Sequence, residues 1–286
     1  MPSVVIPAYN EANGIERCIR AVLRDGIEDL VVVVVPNACR DDTAARARRF
    51  GASVLVADTA QGGTTNAINL GERTLREHGR DLFPRLFLDG DIELEAGTLR
   101  ALFAAAAATG TRVVAAQPRF DAARSDFLSR CFYDADRFNP YHLTTAPNGG
   151  GTYCVNAESR ARWGEFPNII ADDSFVERHF AASERKTLLG SYSIVRVPRT
   201  YAALRGVSAR KREGARELEA ILPLRRDQHA ASGTFRVVAR ALLPLPHRWP
   251  SFAVWAFTKW LERIERGKIA AQTGTDRWQQ DTSSRS

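Results

Sequence analysis

The sequence lacks several features that would assign it to a protein class at once. Its four cysteines lie far apart and form no CxxC pair, which argues against a disulfide scaffold or a cysteine zinc site and favours reduced thiols. No apolar run reaches the roughly 18 residues of a transmembrane helix. The first residues show neither the basic segment nor the cleavage site of a secretory signal. We therefore expect a cytoplasmic protein.

Motifs of several enzyme classes are also missing. No GxGxxG follows the first apolar run, which weakens a dinucleotide-binding interpretation, and the absence of GxxxxGK[ST] excludes a P-loop. The serine-hydrolase motif GxSxG and the zinc-protease motif HExxH do not occur either. Any catalytic chemistry must therefore come from other residues.

Positive charge is concentrated in the C-terminal third of the chain. The 286 residues carry a net charge of +7, yet residues 1–182 hold 20 Lys and Arg against 24 Asp and Glu, and residues 183–268 hold 18 against 7. Such a basic region can bind phosphates or anionic lipids, or it can form a solvated helical surface. Without a nucleic-acid-binding motif, we expect no nucleic-acid partner.

One C-terminal segment combines apolar and charged residues. The stretch 250–264, PSFAVWAFTKWLERI, contains Trp255 and Trp260. It fits an amphipathic helix packed on the main domain, which we favour, or a helix at a membrane surface. The second interpretation predicts peripheral contact with the inner face of a membrane.

The first 120 residues alternate between short β-branched runs and longer helical patterns. The runs lie at 3–7, 30–35, 53–56, 85–88 and 112–116, and the helical stretches at 11–24, 41–50, 64–78 and 96–109. This alternation predicts an α/β fold, with a mostly parallel sheet and helices on both faces. Later segments predict helices at 126–138 and 174–182, a strand at 192–197, and proline-broken helices from 208 onward.

Acidic and polar residues follow the predicted strands, where an open α/β sheet binds its ligands. In LFLDGDIEL an apolar run ends at Asp89 and Asp91. Two carboxylates at this spacing can share a Mg²⁺ or Mn²⁺ ion with substrate phosphates. The alternative is that one of them caps the following helix.

An ordered set of segments resembles the family 2 glycosyltransferases. In chain order these segments are VVIPAYNE, PNACRDDT, QGGTTNAINLG, LFLDGDIEL, GGGTYCVN and IIADDSFVERHF. The resemblance covers about residues 2–200 and implies an inverting enzyme with the GT-A fold and a nucleotide-sugar donor. The segment WQQDTSSR resembles an ending found in bacterial members that build surface polysaccharides. It implies polysaccharide, glycolipid or glycoconjugate biosynthesis.

The resemblance assigns roles residue by residue. The residues implied for the nucleotide sugar are Pro7, Tyr9, Glu11, Asn37, Asp89, Gly90, Asp91, Arg210 and Arg212. Asn37 stands where the family usually has an acidic residue, so the identity of the nucleotide stays open: a UDP-sugar is the first expectation, and GDP- or dTDP-sugars are the alternatives. Asp91, together with Asp89, is implied as the metal ligand. Gly150, Gly151 and Tyr153 match the acceptor-side segment.

Asp172 and Asp173 match the acidic pair of the family, whose second member is the catalytic base. An inverting transfer needs a carboxylate to take the proton of the attacking hydroxyl. Two adjacent acids that face one site would raise the pKa of one of them, which favours a base. The alternative is that either residue only caps the SFVERHF helix.

The expected organisation is a GT-A catalytic domain at 1–205, with a nucleotide-sugar half at 1–118 and an acceptor half at 119–205. A basic helical extension at 206–270 and a polar tail at 271–286 follow. The acceptor is unknown, with a lipid-linked molecule as one expectation. Alternatives are a sugar-phosphate nucleotidyltransferase, a retaining GT-A transferase, and a non-enzymatic protein that binds nucleotide sugars or membrane surfaces.

Overall fold

A computed structural model of the protein describes residues 2–108, 112–224 and 233–269, with side chains as far as residue 265. It contains one sheet of eight strands in the order β3-β2-β1-β4-β7-β6-β8-β5. The strands are β1 Ser3–Ala8, β2 Val31–Pro36, β3 Leu55–Val56, β4 Arg85–Leu88, β5 Glu93–Leu94, β6 Val113–Asp121, β7 Thr152–Val155 and β8 Arg185–Arg196.

Four neighbouring strands, β3, β2, β1 and β4, run parallel, as the continuous apolar runs predict. β7 then pairs antiparallel with both β4 and β6, while β6 and β8 are parallel to each other. β5 closes the far edge, antiparallel to β8. The predicted mostly parallel α/β sheet is thereby confirmed.

Eleven α-helices are assigned within the described residues. They are α1 Ile15–Arg24, α2 Thr43–Arg48, α3 Thr64–Glu77, α4 Thr98–Ala107, α5 Phe127–Asp136, α6 Tyr141–Thr144, α7 Ala157–Arg160, α8 Asp172–Glu177, α9 Tyr201–Ile221, α10 Thr234–Leu242 and α11 Trp249–Ile269. All the predicted helices are present, although α2 and α8 are each only six residues long.

Strand prediction fails mainly in the second half of the chain. β5 and β7 are not predicted, because strands of two and four residues are too short to give a clear period-2 pattern. β8 begins at Arg185, seven residues before the predicted start, because its first half, RKTLLG, shows no period-2 alternation of polar and apolar side chains. The sequence therefore underestimates the strand content of residues 152–196.

The sheet carries a core on each face, and the C-terminal helices form a third cluster. One core packs α1 and α4 on the sheet, and the other packs α3 and α8 on the opposite face. Phe132, Leu204, Val238, Leu242 and Trp255 join α5, α9, α10 and α11 in the third cluster. The helices of the basic C-terminal part thus pack on α5.

The predicted domain boundary at residue 205 falls inside α9, which begins at Tyr201. The division into a catalytic domain and an extension stays a prediction. The predicted tail at 271–286, with its WQQDTSSR ending, lies outside the described residues.

Helix α3 lies unusually close to the sheet at Gly71. A Cβ atom at this position would stand 2.6 Å from Val5 Cγ1 and 3.1 Å from Val35 Cγ2. Both valines are fully buried and their χ1 angles are stiff, so neither can move aside easily. This contact sets α3 against β1 and β2, the strands whose ends form the site described below.

We expect Gly71→Ala to lower the free energy of unfolding by about 1–3 kcal/mol, because the added methyl group overpacks the core. Gly206→Ala is the matched control, since it lies in α9, where an added Cβ would meet no atom within 4 Å. There, the better helix propensity of alanine should raise stability by up to about 1 kcal/mol. Urea denaturation of both variants checks the pair, and equal effects would contradict the close packing at Gly71.

Candidate active site

The carboxyl ends of β1, β2 and β4 meet at one edge of the sheet and form a cleft of about 240 Å³. Parallel strands present their ends at the same edge, so loops that are distant in sequence become neighbours. The predicted residues that line this cleft are Pro7, Tyr9, Glu11, Asn37, Asp89, Gly90, Asp91, Asp172 and Arg210. The structure therefore brings together nearly all residues assigned to the nucleotide sugar.

The loop after β1 is held by the loop after β2. Glu11 N–H donates to Thr43 Oγ1 at 2.7 Å, and Ala12 N–H donates to Asp41 Oδ2 at 3.0 Å. Burial raises the pKa of Asp41, but the hydrogen bonds from Thr43 and Ala12 outweigh this and lower it overall. Asp41 thus stays ionised as a brace for the cleft, a role that sequence reasoning did not assign.

Asn37 is 2% exposed and uses its amide group to join three segments. Its Nδ2 donates to the carbonyl of Ala8 at 2.8 Å, and its Oδ1 accepts from the N–H of Gly63 at 3.1 Å. The amide keeps one hydrogen and one lone pair beyond these bonds. Asn37 therefore holds together the segments that form the cleft. Its contact with the nucleotide base stays a prediction.

Glycines let the Asp89–Asp91 segment approach its neighbours. A Cβ atom at Gly90 would stand 3.1 Å from Ala8 Cβ, and one at Gly151 would stand 2.9 Å from Asp89 Oδ2. Gly151 also has φ +64°, and its carbonyl accepts a hydrogen bond from Asp89 N–H at 3.0 Å. A side chain at Gly151 would displace Asp89.

A second cavity, of about 690 Å³, adjoins the cleft and shares Asp89, Asp91 and Arg210 with it. Its further walls come from the 149–151 loop, the end of β8 and the helices α5, α9 and α11. The two acids that could hold a metal thus stand between two cavities, one on each side.

Of the predicted acceptor-side residues, Gly151 lines the larger cavity. Gly150 packs against Asn148, whose Oδ1 accepts its N–H at 3.1 Å. Tyr153 is 4% exposed, and its ring stacks on Phe87 with centroids 4.8 Å apart. Burial raises the pKa of Tyr153 well above its usual range. Gly150 and Tyr153 thus do not line the larger cavity themselves but pack next to residues that do.

A buried chain of hydrogen bonds ties α11 to the 149–151 loop. Trp255 Nε1 donates to Asp136 Oδ1 at 2.8 Å, and Asp136 Oδ2 lies 3.0 Å from His142 Nε2. His142 Nδ1 lies 2.8 Å from the carbonyl oxygen of Asn148. This network was missed from the sequence, because no motif links the three segments.

Asp172 and Asp173 begin α8, and both line a small cavity of about 50 Å³ beside Gly149 and Gly151. Asp172 also lines the 240 Å³ cleft, whereas Asp173 does not. Burial raises the pKa of Asp172 well above its usual range, and repulsion from Asp173 and Asp89 raises it further. Asp173 Oδ1 accepts the N–H of Ser174 at 2.7 Å.

The two arginines predicted to bind the nucleotide sugar separate in the structure. Residues two apart on a helix point in nearly opposite directions. Arg210 lines the cleft, and no ion pair forms at its guanidinium among the described residues. Arg212 instead pairs with Glu265 of α11 at 2.6 Å. Arg210 therefore lines both the cleft and the larger cavity, whereas Arg212 lines only the larger cavity.

Sequence reasoning missed several cleft residues: Gly63, Thr64, Asn168, Ile170 and Glu217. Glu217 Oε2 accepts the N–H of Ile170 at 3.1 Å, and Gly214 lets α9 approach Ala171 closely. Helix α9 thereby fixes the loop that leads into Asp172. The segment QGGTTNAINLG contained a signal for Gly63 and Thr64, but no motif pointed to Glu217 of α9.

Comparison with known proteins identifies relatives of this fold. The family model described as "Glycosyl transferase family 2" matches residues 3–150. TarS 1–349 of S. aureus in complex with UDP has a TM-score of 0.52 and 16% identity, over 84% of this chain and 70% of that one. The search among curated proteins finds no match.

A second solved structure is similar to the same extent. Glucosyl-3-phosphoglycerate synthase from Mycobacterium tuberculosis in complex with phosphoglyceric acid has a TM-score of 0.53 and 17% identity, over 82% of each chain. The same synthase in complex with Mn²⁺, UDP and phosphoglyceric acid has a TM-score of 0.52 and 19% identity, over 82% of this chain and 80% of that one. Such identities show that the chains share a fold.

We expect Asp172→Asn to stabilise the protein at neutral pH. Because the folded state raises this pKa, stability is lost as pH rises from the ordinary aspartate range through the raised value. The asparagine variant avoids that loss, and its advantage should shrink as pH falls toward about 4. Thermal unfolding of both proteins from acid to neutral pH measures this difference in stability. Asp42→Asn, an exposed acid that precedes α2, is the control and should show no such trend.

Proposed function

The chain belongs to glycosyl transferase family 2, and we propose that it moves one sugar from a nucleoside-diphosphate sugar to an acceptor hydroxyl with inversion at the anomeric carbon. The observation that carries this proposal is the pair of cavities that meet at Asp89, Asp91 and Arg210. A donor in the smaller cleft and an acceptor in the larger cavity would meet beside these charged groups.

The donor we propose is a UDP-sugar. The compared TarS structure holds UDP, and the compared synthase holds UDP with Mn²⁺. In this chain, the polar loops after β1 and β2 supply the hydrogen-bonding groups for a base and ribose. GDP- and dTDP-sugars are the alternatives, because Asn37 stands where the family usually has an acid.

The residues of the cleft fit a divalent cation shared with the substrate. In the described part of the chain, no three His, Cys, Asp or Glu side chains converge as a complete metal site. Asp89 and Asp91 thus offer two carboxylates, and Mg²⁺ commonly uses one or two together with substrate phosphates. We propose that these two acids hold Mg²⁺ or Mn²⁺, which would offset the negative charge of the departing diphosphate.

We propose Asp173 as the base that takes the proton of the acceptor hydroxyl. It lines the small cavity together with Gly149 and Gly151, which also line the larger cavity, and this supports the role. The hydroxyl oxygen then attacks the anomeric carbon while the bond to the diphosphate breaks. Asp172 lines the donor cleft, and its raised pKa lets it keep a proton with which to hydrogen-bond the donor.

Arg210 is the residue we propose to meet the diphosphate. It lines both cavities, and within the described residues its guanidinium group forms no ion pair. A guanidinium at this position would stabilise the charge that develops on the leaving group. A polysaccharide, glycolipid or glycoconjugate acceptor is our proposal from the sequence resemblance.

We expect Asp91→Asn and Asp173→Asn to damage different steps. Asp91→Asn should weaken Mn²⁺-dependent binding of UDP at least about tenfold, because it removes a charged metal ligand. Asp173→Asn should leave that binding intact and lower kcat by about a hundred- to ten-thousandfold, the usual contribution of a general base. Calorimetry and a sugar-transfer assay measure the two effects.

Asp121→Asn, an exposed acid at the end of β6, is the control and should change neither quantity. Release of UDP distinguishes transfer from a nucleotidyltransferase reaction, which releases pyrophosphate. The anomeric configuration of the product, determined by NMR, distinguishes inversion from retention. Full activity of Asp173→Asn would refute its role as the base.

Substitutions of Arg210 and Arg212 should have different effects on the binding of UDP. We expect Arg210→Gln to weaken UDP binding about tenfold, since a charged hydrogen bond to the diphosphate is lost. Arg212→Gln should leave UDP binding unchanged and lower the thermal midpoint, because Glu265 then loses one of its two cationic partners. If Arg212→Gln weakened binding as much as Arg210→Gln, the assignment of Arg210 to the diphosphate would be wrong.

A further inference from the structure

The outer face of α11 carries a row of exposed aromatic side chains. Trp249, Phe257 and Trp260 are 55%, 54% and 55% exposed. At 100° per residue these positions fall within an arc of about 80°, so they share one side of the helix. The rings of Phe257 and Trp260 stack with centroids 5.7 Å apart. We call these three residues the aromatic stripe.

Leu243, which precedes α11, adds a further exposed apolar side chain beside Trp249. Trp249 Nε1 donates to the carbonyl of Leu243 at 3.1 Å, and the Leu243 side chain is itself 53% exposed. Trp255, which the sequence suggested together with Trp260 for membrane contact, is only 2% exposed and belongs to the buried cluster. The exposed surface is therefore built from Trp249, Phe257 and Trp260, without Trp255.

The exposed charge of α10 and α11 is positive over the described residues 233–265. Residues 233–265 contain five Lys and Arg but only two acids, Glu262 and Glu265. Glu262 is buried and lies 3.3 Å from Lys259, and Glu265 is paired with Arg205 and Arg212 of α9. Both acids thus turn toward the protein, while Arg236, Arg240 and Arg263 are exposed. Within this range no exposed acid offsets them.

We propose that the aromatic stripe docks on an anionic lipid surface. Tryptophan favours the boundary between headgroups and acyl chains, and exposed arginines are attracted to anionic headgroups. A helix with an aromatic side and basic neighbours lies in the plane of such an interface. Within the described residues, no helix combines the length and the apolar composition needed to cross a bilayer.

The docking surface and the larger cavity use two sides of the same helix. Lys259 and Glu262 of α11 line the 690 Å³ cavity, about 80° and 140° around the helix from Trp249. Under the proposed function, on which this point alone rests, docking holds the acceptor cavity beside the lipid headgroups. The proposed acceptor class is therefore a molecule anchored in that surface.

Co-sedimentation of the full chain with lipid vesicles tests the docking. The vesicles contain phosphatidylcholine alone or with about 30% phosphatidylglycerol, a typical anionic fraction. We expect binding to the anionic vesicles, weaker at about 0.5 M than at about 0.1 M salt because of screening. The combined variant Trp249→Ser, Phe257→Ser and Trp260→Ser should lower the partition coefficient about tenfold or more.

Matched controls replace exposed residues outside the stripe. Phe127 and Leu189 are 60% and 68% exposed, and the double variant Phe127→Ser, Leu189→Ser should bind as the wild type does. Arg263→Glu should weaken binding, whereas Arg73→Glu, an exposed arginine of α3, should not. Calorimetry with UDP on the same samples should give unchanged affinity, so a failure of docking is separable from a failure of the proposed function.

Three outcomes would overturn the proposal. One is binding to anionic vesicles that the stripe variant does not weaken. Another is absence of vesicle binding together with dimers that the stripe variant converts to monomers, which would identify a second copy of the chain as the partner. The third is a monomer that binds no vesicles, which would point to residues 270–286 of the chain itself as the cover of the stripe.

Discussion

Repulsion among carboxylates at the edge of the sheet is the constraint on which the site depends. The strand ends and the start of α8 bring Asp89, Asp172 and Asp173 close enough for their charges to interact, and burial makes that interaction stronger. An arrangement of this kind is unfavourable for the folded protein alone. It persists because packed glycines and a bound loop hold the backbone in place. A divalent cation, as proposed above, would relieve this repulsion.

The fold brings the acidic and the basic parts of the sequence together at one edge of the sheet. The acidic first part of the chain builds the edge of the sheet, and the basic later part returns to it through α9. One side of α9 delivers Arg210 to the acids, and the other side joins α11 through Arg205 and Arg212. Attraction between the two parts of the chain therefore coincides with the place where a diphosphate would bind.

Prediction from the sequence succeeded where local patterns are strong. Val31–Pro36 and Arg85–Leu88 are buried parallel strands with almost no polar residue, so both the strands and the loops after them could be found. β7 and the first half of β8 are too short or too polar for that, and they were missed. The two roles of α9, and the burial of Trp255 beside exposed Trp260, depend on contacts between distant segments. No pattern in one sequence carries that information.

The continuity of α9 limits how such an enzyme can be recombined. The helix begins at Tyr201 and runs without interruption to Ile221, so a module boundary at residue 205 would cut it within its second turn. A junction before Tyr201 keeps the helix whole, but it transfers Arg210 together with the C-terminal helices. Any exchange of the C-terminal helices between relatives would therefore replace Arg210 as well, a residue that lines both cavities.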